Sequence, residues 1–274
     1  MIVDYHIHTS MCGHASGTME ELAEAAVSRG LSEIGIADHA PLLHMENRTL
    51  SMGREELPLY VERVLELKER FRDRLTIRLG IEADYYPATT GELGRLLKAH
   101  PFDYVIGSVH ILDDWIFDSP LEVERYNNAD MDKLFVGCVE VQQEMMATGL
   151  FDIVGHPDLA KKFGRRAGID LTPYYRELLR TIKLAGACFE INTAGLRWPA
   201  QEVYPEFDFI RLGRKLEVPV TIGSDAHCPE DVGRDLPVAL DLLRRAGYRQ
   251  IAVFEGRAMR LIPLLERQEP HQDR

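Results

Sequence analysis

Ten histidines run through this 274-residue chain, and most of them fall in short polar stretches that follow apolar runs. His6 and His8 stand two apart in Asp4-Tyr5-His6-Ile7-His8-Thr9, so an extended backbone points both to one face and Ile7 to the other. His14 follows closely, His39 lies in Ala37-Asp38-His39-Ala40, Glu82 in Gly80-Ile81-Glu82-Ala83-Asp84, His110 in Ser108-Val109-His110 and His156 in Gly155-His156-Pro157. Asp225 and His227, again two apart, lie in Ser224-Asp225-Ala226-His227. Alone, each of these histidines reads as a hydrogen-bonded loop residue. As a set, seven histidines and two carboxylates close the same end of successive apolar runs, and the chemistry that wants such a set is metal binding. Imidazole suits zinc, iron and manganese, whereas calcium and magnesium want oxygen. Nine ligands exceed the need of one four- or five-coordinate ion, so a multinuclear centre with a bridging carboxylate is the simplest packing. Several divalent ions against two carboxylates leave a positive mouth in an acidic protein, as a phosphate monoester dianion requires. His44, His100 and His271 fit no strand end and read as ordinary polar residues.

Asp4 shares a strand face with His6 and His8 and is placed either to orient one of them or to lie buried at a barrel floor. Asp38 precedes His39 and so points elsewhere, as a ligand neighbour or a helix cap. Cys12 and Cys228 sit beside ligands but are not needed as such.

The elements that must position these groups alternate. Strands are predicted over Ile2–His6, Glu33–Ala37, Thr76–Ala83, Asp103–Gly107, Asp152–Gly155, Cys188–Asn192 and Pro219–Gly223. Helical patterns cover Met19–Gly30, Glu55–Arg72, Thr90–His100, Asp130–Thr148, Pro173–Ala185, Phe207–Leu216 and Pro229–Ala246. Thr18 with Glu21 reads as a capping box, and Pro173 and Pro229 as first-turn prolines. An eighth apolar run, Ile251–Phe254, leads through Gly256 to a predicted final helix. Strand-then-helix repetition implies a parallel barrel or a doubly wound sheet. No G-x-G-x-x-G follows an early strand, and polar residues close the strands, which favours the barrel. No linker divides the chain. We expect one domain over residues 1–266 and a polar tail over 267–274.

Composition bounds the function. With 45% hydrophobic and 28% charged residues the chain is ordinary globular protein, and a net charge of −12 argues against long nucleic acids or an anionic membrane as partner. No run approaches a membrane span, and no basic and apolar leader opens the chain. Cys12, Cys138, Cys188 and Cys228 form no C-x-x-C pair and read as reduced thiols of a cytoplasmic protein.

The ordered set from Asp4-Tyr5-His6-Ile7-His8-Thr9 through His14, Asp38-His39, Glu82, Ser108-Val109-His110 and Gly155-His156 to Ser224-Asp225-Ala226-His227 resembles the polymerase-and-histidinol-phosphatase (PHP) family. The resemblance implies a distorted (β/α)7 TIM-like barrel holding up to three divalent transition-metal ions, zinc, iron or manganese. It implies that His6, His8, Glu82 and Asp225 bind one ion, Glu82, His110 and His156 a second, and His14, His39 and His227 a third. Two segments make the match closest to the branch that hydrolyses L-histidinol phosphate: Gly107–His110 followed by Trp115-Ile116-Phe117-Asp118, and Glu190–Arg197 followed by Val203-Tyr204-Pro205. The implied reaction is attack of a metal-bridging hydroxide on phosphorus, with Glu82, Asp225, His227 and Arg197 as the catalytic set.

For substrate contacts, Arg197 offers a planar bidentate phosphate donor, and Lys161 and Lys162 are further cations. Trp115 and Phe117 could cover a substrate. Ser108, Glu190 and Asp84 are candidates for polar contacts to it. Trp198 departs from the family pattern, where a basic residue is expected. Three rivals are another phosphoesterase on the same barrel acting on nucleotides or another phosphomonoester, an amidohydrolase-type enzyme, and a metal-binding protein without catalysis. The lack of a strand-four lysine fits the amidohydrolase poorly. A shared nine-ligand set leaves positions open, which a structural site would close.

Overall fold

The computed structural model describes residues 2–264. Eleven strands and eight helices appear among them. The strands are β1 Val3–Ile7, β2 Glu33–Ile36, β3 Thr76–Asp84, β4 Tyr104–Ser108, β5 Ile111–Leu112, β6 Trp115–Ile116, β7 Ile153–Val154, β8 Cys188–Asn192, β9 Val220–Gly223, β10 Gln250–Glu255 and β11 Ala258–Pro263. The helices are α1 Met19–Ser28, α2 Leu57–Phe71, α3 Thr90–Lys98, α4 Val123–Asn128, α5 Met131–Ala147, α6 Thr172–Leu184, α7 Phe207–Lys215 and α8 Leu236–Ala246.

Seven strands pair in parallel in the order β1-β2-β3-β4-β7-β8-β9. Each is buried along nearly its whole length, as parallel strands covered on both sides by side chains must be. No regular ladder joins β9 to β1. Instead Ala226, past the end of β9, closes the ring: His8 N donates to Ala226 O at 2.8 Å and Ala226 N to His6 O at 3.2 Å. The result is the nearly closed (β/α)7 barrel expected from the alternating pattern. Helix starts follow the sequence signals: Thr18 and Glu21 make the reciprocal capping box of α1, and Asp130 caps α5.

Tyr104 fills the barrel near its floor. Its hydroxyl crosses to donate to Tyr5 O at 2.7 Å, and its ring meets Tyr5 edge-on. The crossing needs bare backbone on β2 and β3: a Cβ on Gly35 would lie 1.8 Å from the Tyr104 hydroxyl, and one on Gly80 2.3 Å from Tyr104 Cζ. Below that layer, β10 and β11 seal the N-terminal end. Phe254 N donates to the Tyr5 hydroxyl at 2.8 Å, Thr221 Oγ1 to Ala252 O at 3.0 Å and Gly256 N to Asp103 Oδ1 at 3.0 Å.

Two predicted helices differ. The one expected after Gly256 is strand β11. Gly256 and Arg257 both have positive φ, the conformation of a two-residue hairpin turn, so the chain reverses instead of coiling. The helix expected from Pro229 splits into a short 3-10 turn over Pro229–Asp231 and α8 from Leu236, because Gly233 and Asp235 adopt left-handed backbone between them. The expected polar tail lies outside the described residues.

Gly35→Ala should therefore destabilise the fold by roughly 1–3 kcal/mol through overpacking. Urea unfolding should show a smaller loss when Tyr104→Phe is added, since the two changes share one contact. Strict additivity would refute the crossing as the reason for Gly35.

Candidate metal centre

Glu82 ends up at the centre of the barrel mouth, 1% exposed. Its two oxygens face different partners. Oε2 lies 3.0 Å from His39 Nδ1, 3.4 Å from His6 Nε2 and 3.6 Å from His8 Nε2. Oε1 lies 3.0 Å from His156 Nε2 and 3.7 Å from His110 Nε2. Asp225 Oδ1 stands 3.1 Å from His8 Nε2, and His14 Nε2 stands 3.1 Å from His227 Nε2. All nine residues expected as ligands thus come together at one end of the barrel, His14 at its exposed rim. Burial pushes the Glu82 carboxyl up, but His6, His39 and His110 outweigh it and hold it well below the usual range. Burial and neighbouring His8 hold His227 down at about 3, the neutral form that can ligate.

The donor set fits divalent metal. His6, His8 and Asp225 each bring one ligand atom to within 4.8 Å of the others, and so do His8, His39 and His227. Nε2 of His6, both ring nitrogens of His8, Nδ1 of His156 and Oε2 of Glu82 are buried without a hydrogen-bond partner. Each such atom costs on the order of 1–3 kcal/mol unless something coordinates it. The Cys12 thiol donates to Thr9 O at 3.1 Å, and burial pushes its ionisation up, which disfavours the thiolate.

Two of the expected ligands sit on left-handed backbone, His156 at φ 26° and Asp225 at φ 54°. Such conformations persist where surrounding bonds over-determine them. Those bonds come from residues that behave differently from expectation. Asp4 touches neither imidazole. Its carboxylate accepts from Ser224 N at 2.8 Å, Ser224 Oγ at 2.5 Å, Gly233 N at 2.8 Å and His6 N at 3.3 Å, which staples β1 to the loop bearing Asp225.

Glu190, expected at the substrate, is fully buried. It contacts His6 Nδ1 at 2.9 Å and accepts from His156 N and Asn192 Nδ2, both at 2.9 Å. These contacts engage it with His6, His156 and Asn192 rather than with the open mouth. Ser108 is likewise buried, and its hydroxyl donates to Glu82 Oε1 at 2.6 Å. Lys161 is fully buried behind the site, paired with Asp158 at 2.8 Å and Glu202 at 3.0 Å. Trp115 packs in a second apolar cluster with Phe117 and Tyr126, and the Arg125 guanidinium lies over its ring at 4.7 Å, so it is core and not a lid. Of the two lysines, Lys162 is the one near the mouth: it pairs with Asp118 at 3.0 Å and lies 4.4 Å from the Trp198 ring. Asp118 in turn feels His110 and His156.

Sequence reasoning missed two supports, Asp84 in this role and Asn192, and left Asp38 open between a ligand neighbour and a helix cap. Asp84 contacts His110 Nδ1 at 2.9 Å, where a substrate contact was expected. Asp38 Oδ1 lies 3.4 Å from His8 Nδ1 and accepts from His39 N at 2.8 Å. Asn192 donates to Glu190 at 2.9 Å and to Asp225 Oδ2 at 3.1 Å. Asn192 is two residues past Glu190 on the same strand, and that parity was the available signal.

The PHP domain model matches residues 4–194. The chain is 38% identical over 259 residues, 94% of this chain and 98% of the relative, to a "Probable histidinol-phosphatase" of Deinococcus radiodurans. It is 29% identical over 257 residues to the histidinol-phosphatase of Bacillus subtilis, covering 84% of this chain and 95% of that one. In fold it is similar, with a TM-score of 0.79, to the histidinol phosphate phosphatase of Lactococcus lactis, whose crystal structure holds zinc, L-histidinol and phosphate. That likeness covers 94% of this chain and 98% of the other at 23% identity. The match extends over most of the barrel and takes in the strand-end residues from His6 to His156, so the chain belongs to the PHP domain family.

Proposed function

We propose that this protein hydrolyses L-histidinol phosphate to L-histidinol and phosphate, and that three divalent transition-metal ions serve it, zinc, iron or manganese. The observation that carries the reading is the division of Glu82 between two sets of imidazoles, the arrangement a bridging carboxylate requires. Relatives named histidinol-phosphatase, aligned over nearly the whole chain, support the substrate. On this reading His6, His8, Glu82 and Asp225 hold one ion, Glu82, His110 and His156 a second, and His14, His39 and His227 a third. Ions held there supply, when bound, an acidified water and neutralisation of the phosphoryl charge. The four cysteines are all free, which fits a reducing cytoplasm. No helix among the described residues is long and apolar enough to cross a membrane.

The chain's own residues orient and hold. Glu190, Asp84 and Asp38 each face the ring nitrogen of a histidine and set which nitrogen points to the centre. Ser108 keeps Glu82 Oε1 in place. On this reading Arg197 meets the phosphoryl group with half of its fork. Its Nη2 donates to Ser224 O at 2.7 Å and Asp225 O at 3.3 Å, and its Nε lies 3.5 Å from Asp231. Nη1 is buried without a partner and is the donor left for a phosphoryl oxygen. A loose transition state asks mainly for such positioning and charge neutralisation.

Three outcomes test this reading. Glu82→Gln should lose metal and phosphate release together, by elemental analysis and steady-state assay on histidinol phosphate; full metal content with near-normal turnover would sink the bridging role. Glu190→Gln should weaken metal affinity about 10–100-fold while Glu190→Asp recovers part of it, measured by chelator competition. Arg197→Ala should lower kcat/KM for histidinol phosphate by roughly 10² and weaken inhibition by free phosphate in parallel, with Arg197→Lys a partial rescue. A kcat/KM within about threefold of the parent would remove Arg197 from the substrate.

A further inference from the structure

A second cavity lies outside the barrel mouth, between α5, α6, α7 and the segment after β7. It measures about 760 Å³, within the range of small-molecule sites, and its lining includes Asp158, Tyr175, Glu206, Arg166 and Arg211. None of the proposed metal ligands lines it.

Its polar groups are arranged by depth. Asp158 and Tyr175 are 2% and 3% exposed, and Asp158 Oδ1 and the Tyr175 hydroxyl are both buried without a hydrogen-bond partner. The other Asp158 oxygen is engaged, by Lys161 Nζ at 2.8 Å and Glu206 N at 2.8 Å. At the deep wall a carboxylate oxygen and a phenol, both closed to solvent, are thus left without a partner beside the Glu206 carboxylate. That combination asks for a ligand group with several N–H donors and a positive charge. The outer lining is mixed, with Arg166, Arg211 and Lys215 beside the exposed carboxylates Asp170 and Asp208. Arg166 is committed to Glu202 at 3.0 Å and Arg211 to Asp208 at 3.2 Å, but these pairs are solvent-exposed and cost little to exchange. Across the whole lining four carboxylates face four cations, so neither a bare amine nor a bare anion satisfies it. Apolar surface from Phe135, Ile169, Leu171 and Leu212 covers the remaining wall.

We infer that this cavity is a binding site for a free α-amino acid, bound as the zwitterion with its ammonium on Asp158 and Tyr175 and its carboxylate on Arg211. The apolar wall takes the side chain. The cavity adjoins the proposed metal centre along the chain: Asp158 lies two residues past His156, and Gln142 Nε2 donates to the intervening Pro157 O at 2.9 Å.

The test is calorimetry and thermal shift on the metal-loaded full chain with a panel of L-α-amino acids at up to about 10 mM, run without turnover so that the phosphatase reading is not at issue. At least one amino acid should bind saturably, and its N-acetyl and carboxamide derivatives should not. Tyr175→Phe should weaken binding roughly fivefold and Arg211→Ala roughly tenfold, with metal content unchanged. Arg211 is exposed, so its removal leaves folding intact. No binding by any amino acid overturns the proposal. Equal binding of the capped derivatives overturns it, as does an affinity that neither variant changes, which would put the amino acid on the metal.

Discussion

One negative charge in the middle of the barrel sets the terms for everything near it. Burying an isolated carboxylate costs on the order of several kcal/mol, and Glu82 is almost wholly buried. The protein answers by surrounding it with imidazoles from β1, the β2 and β4 ends and the loop after β7. Those imidazoles are themselves buried bases and need partners of their own, which Glu190, Asp38 and Asp84 provide. The carboxylates that face the rings are in turn tied to backbone amides: Glu190 to His156 N, Asp38 to His39 N, Asp84 to His110 N. The polar network thus ends on the chain itself, and the sheet that carries the ligands is also what satisfies their supports.

This explains why residue types so often told the truth about place and not about role. That a histidine or carboxylate belongs at a strand end follows from parity and from where parallel barrels build their mouths, and both are written in the sequence. Which of two neighbours reaches the centre is decided by register. Asp4 shares a face by parity with His6, yet its carboxylate closes on Ser224 and Gly233, and it becomes a staple. Lys161 and Lys162 are adjacent, yet a short 3-10 turn sends one into the protein behind the site and leaves the other near the mouth. Glu190 looked like a substrate contact because it precedes Asn192-Thr193-Ala194-Gly195; only the three-dimensional neighbour, His6, reveals it as a support.

The missed elements have a similar cause. The strand pattern of 258–263 is short, and its turn is made by Gly256 and Arg257 in a conformation that propensity assigns to glycine alone. The hairpin β5–β6 turns in the same way on Asp113 and Asp114, both with positive φ, inside a stretch that read only as a long loop. Aromatic residues there suggested a cover for substrate. They instead build a separate apolar cluster with α4 and α5, because a loop of that length needs a core of its own.

The closure of the ring by Ala226 has a further consequence. The barrel has no continuous ladder at its seam, and the two hydrogen bonds there lie between Asp225 and His227 in sequence and beside His6 and His8 in space. Backbone pairing is thin along this line, and the Asp4 carboxylate reinforces it with hydrogen bonds from Ser224 N, Ser224 Oγ and Gly233 N. Opening it parts one group of coordinating side chains from another without disturbing the floor. Loss of the Asp4 staple should then speed the exchange of any ion held between those side chains, and a change that tightens the seam should slow loading and loss alike.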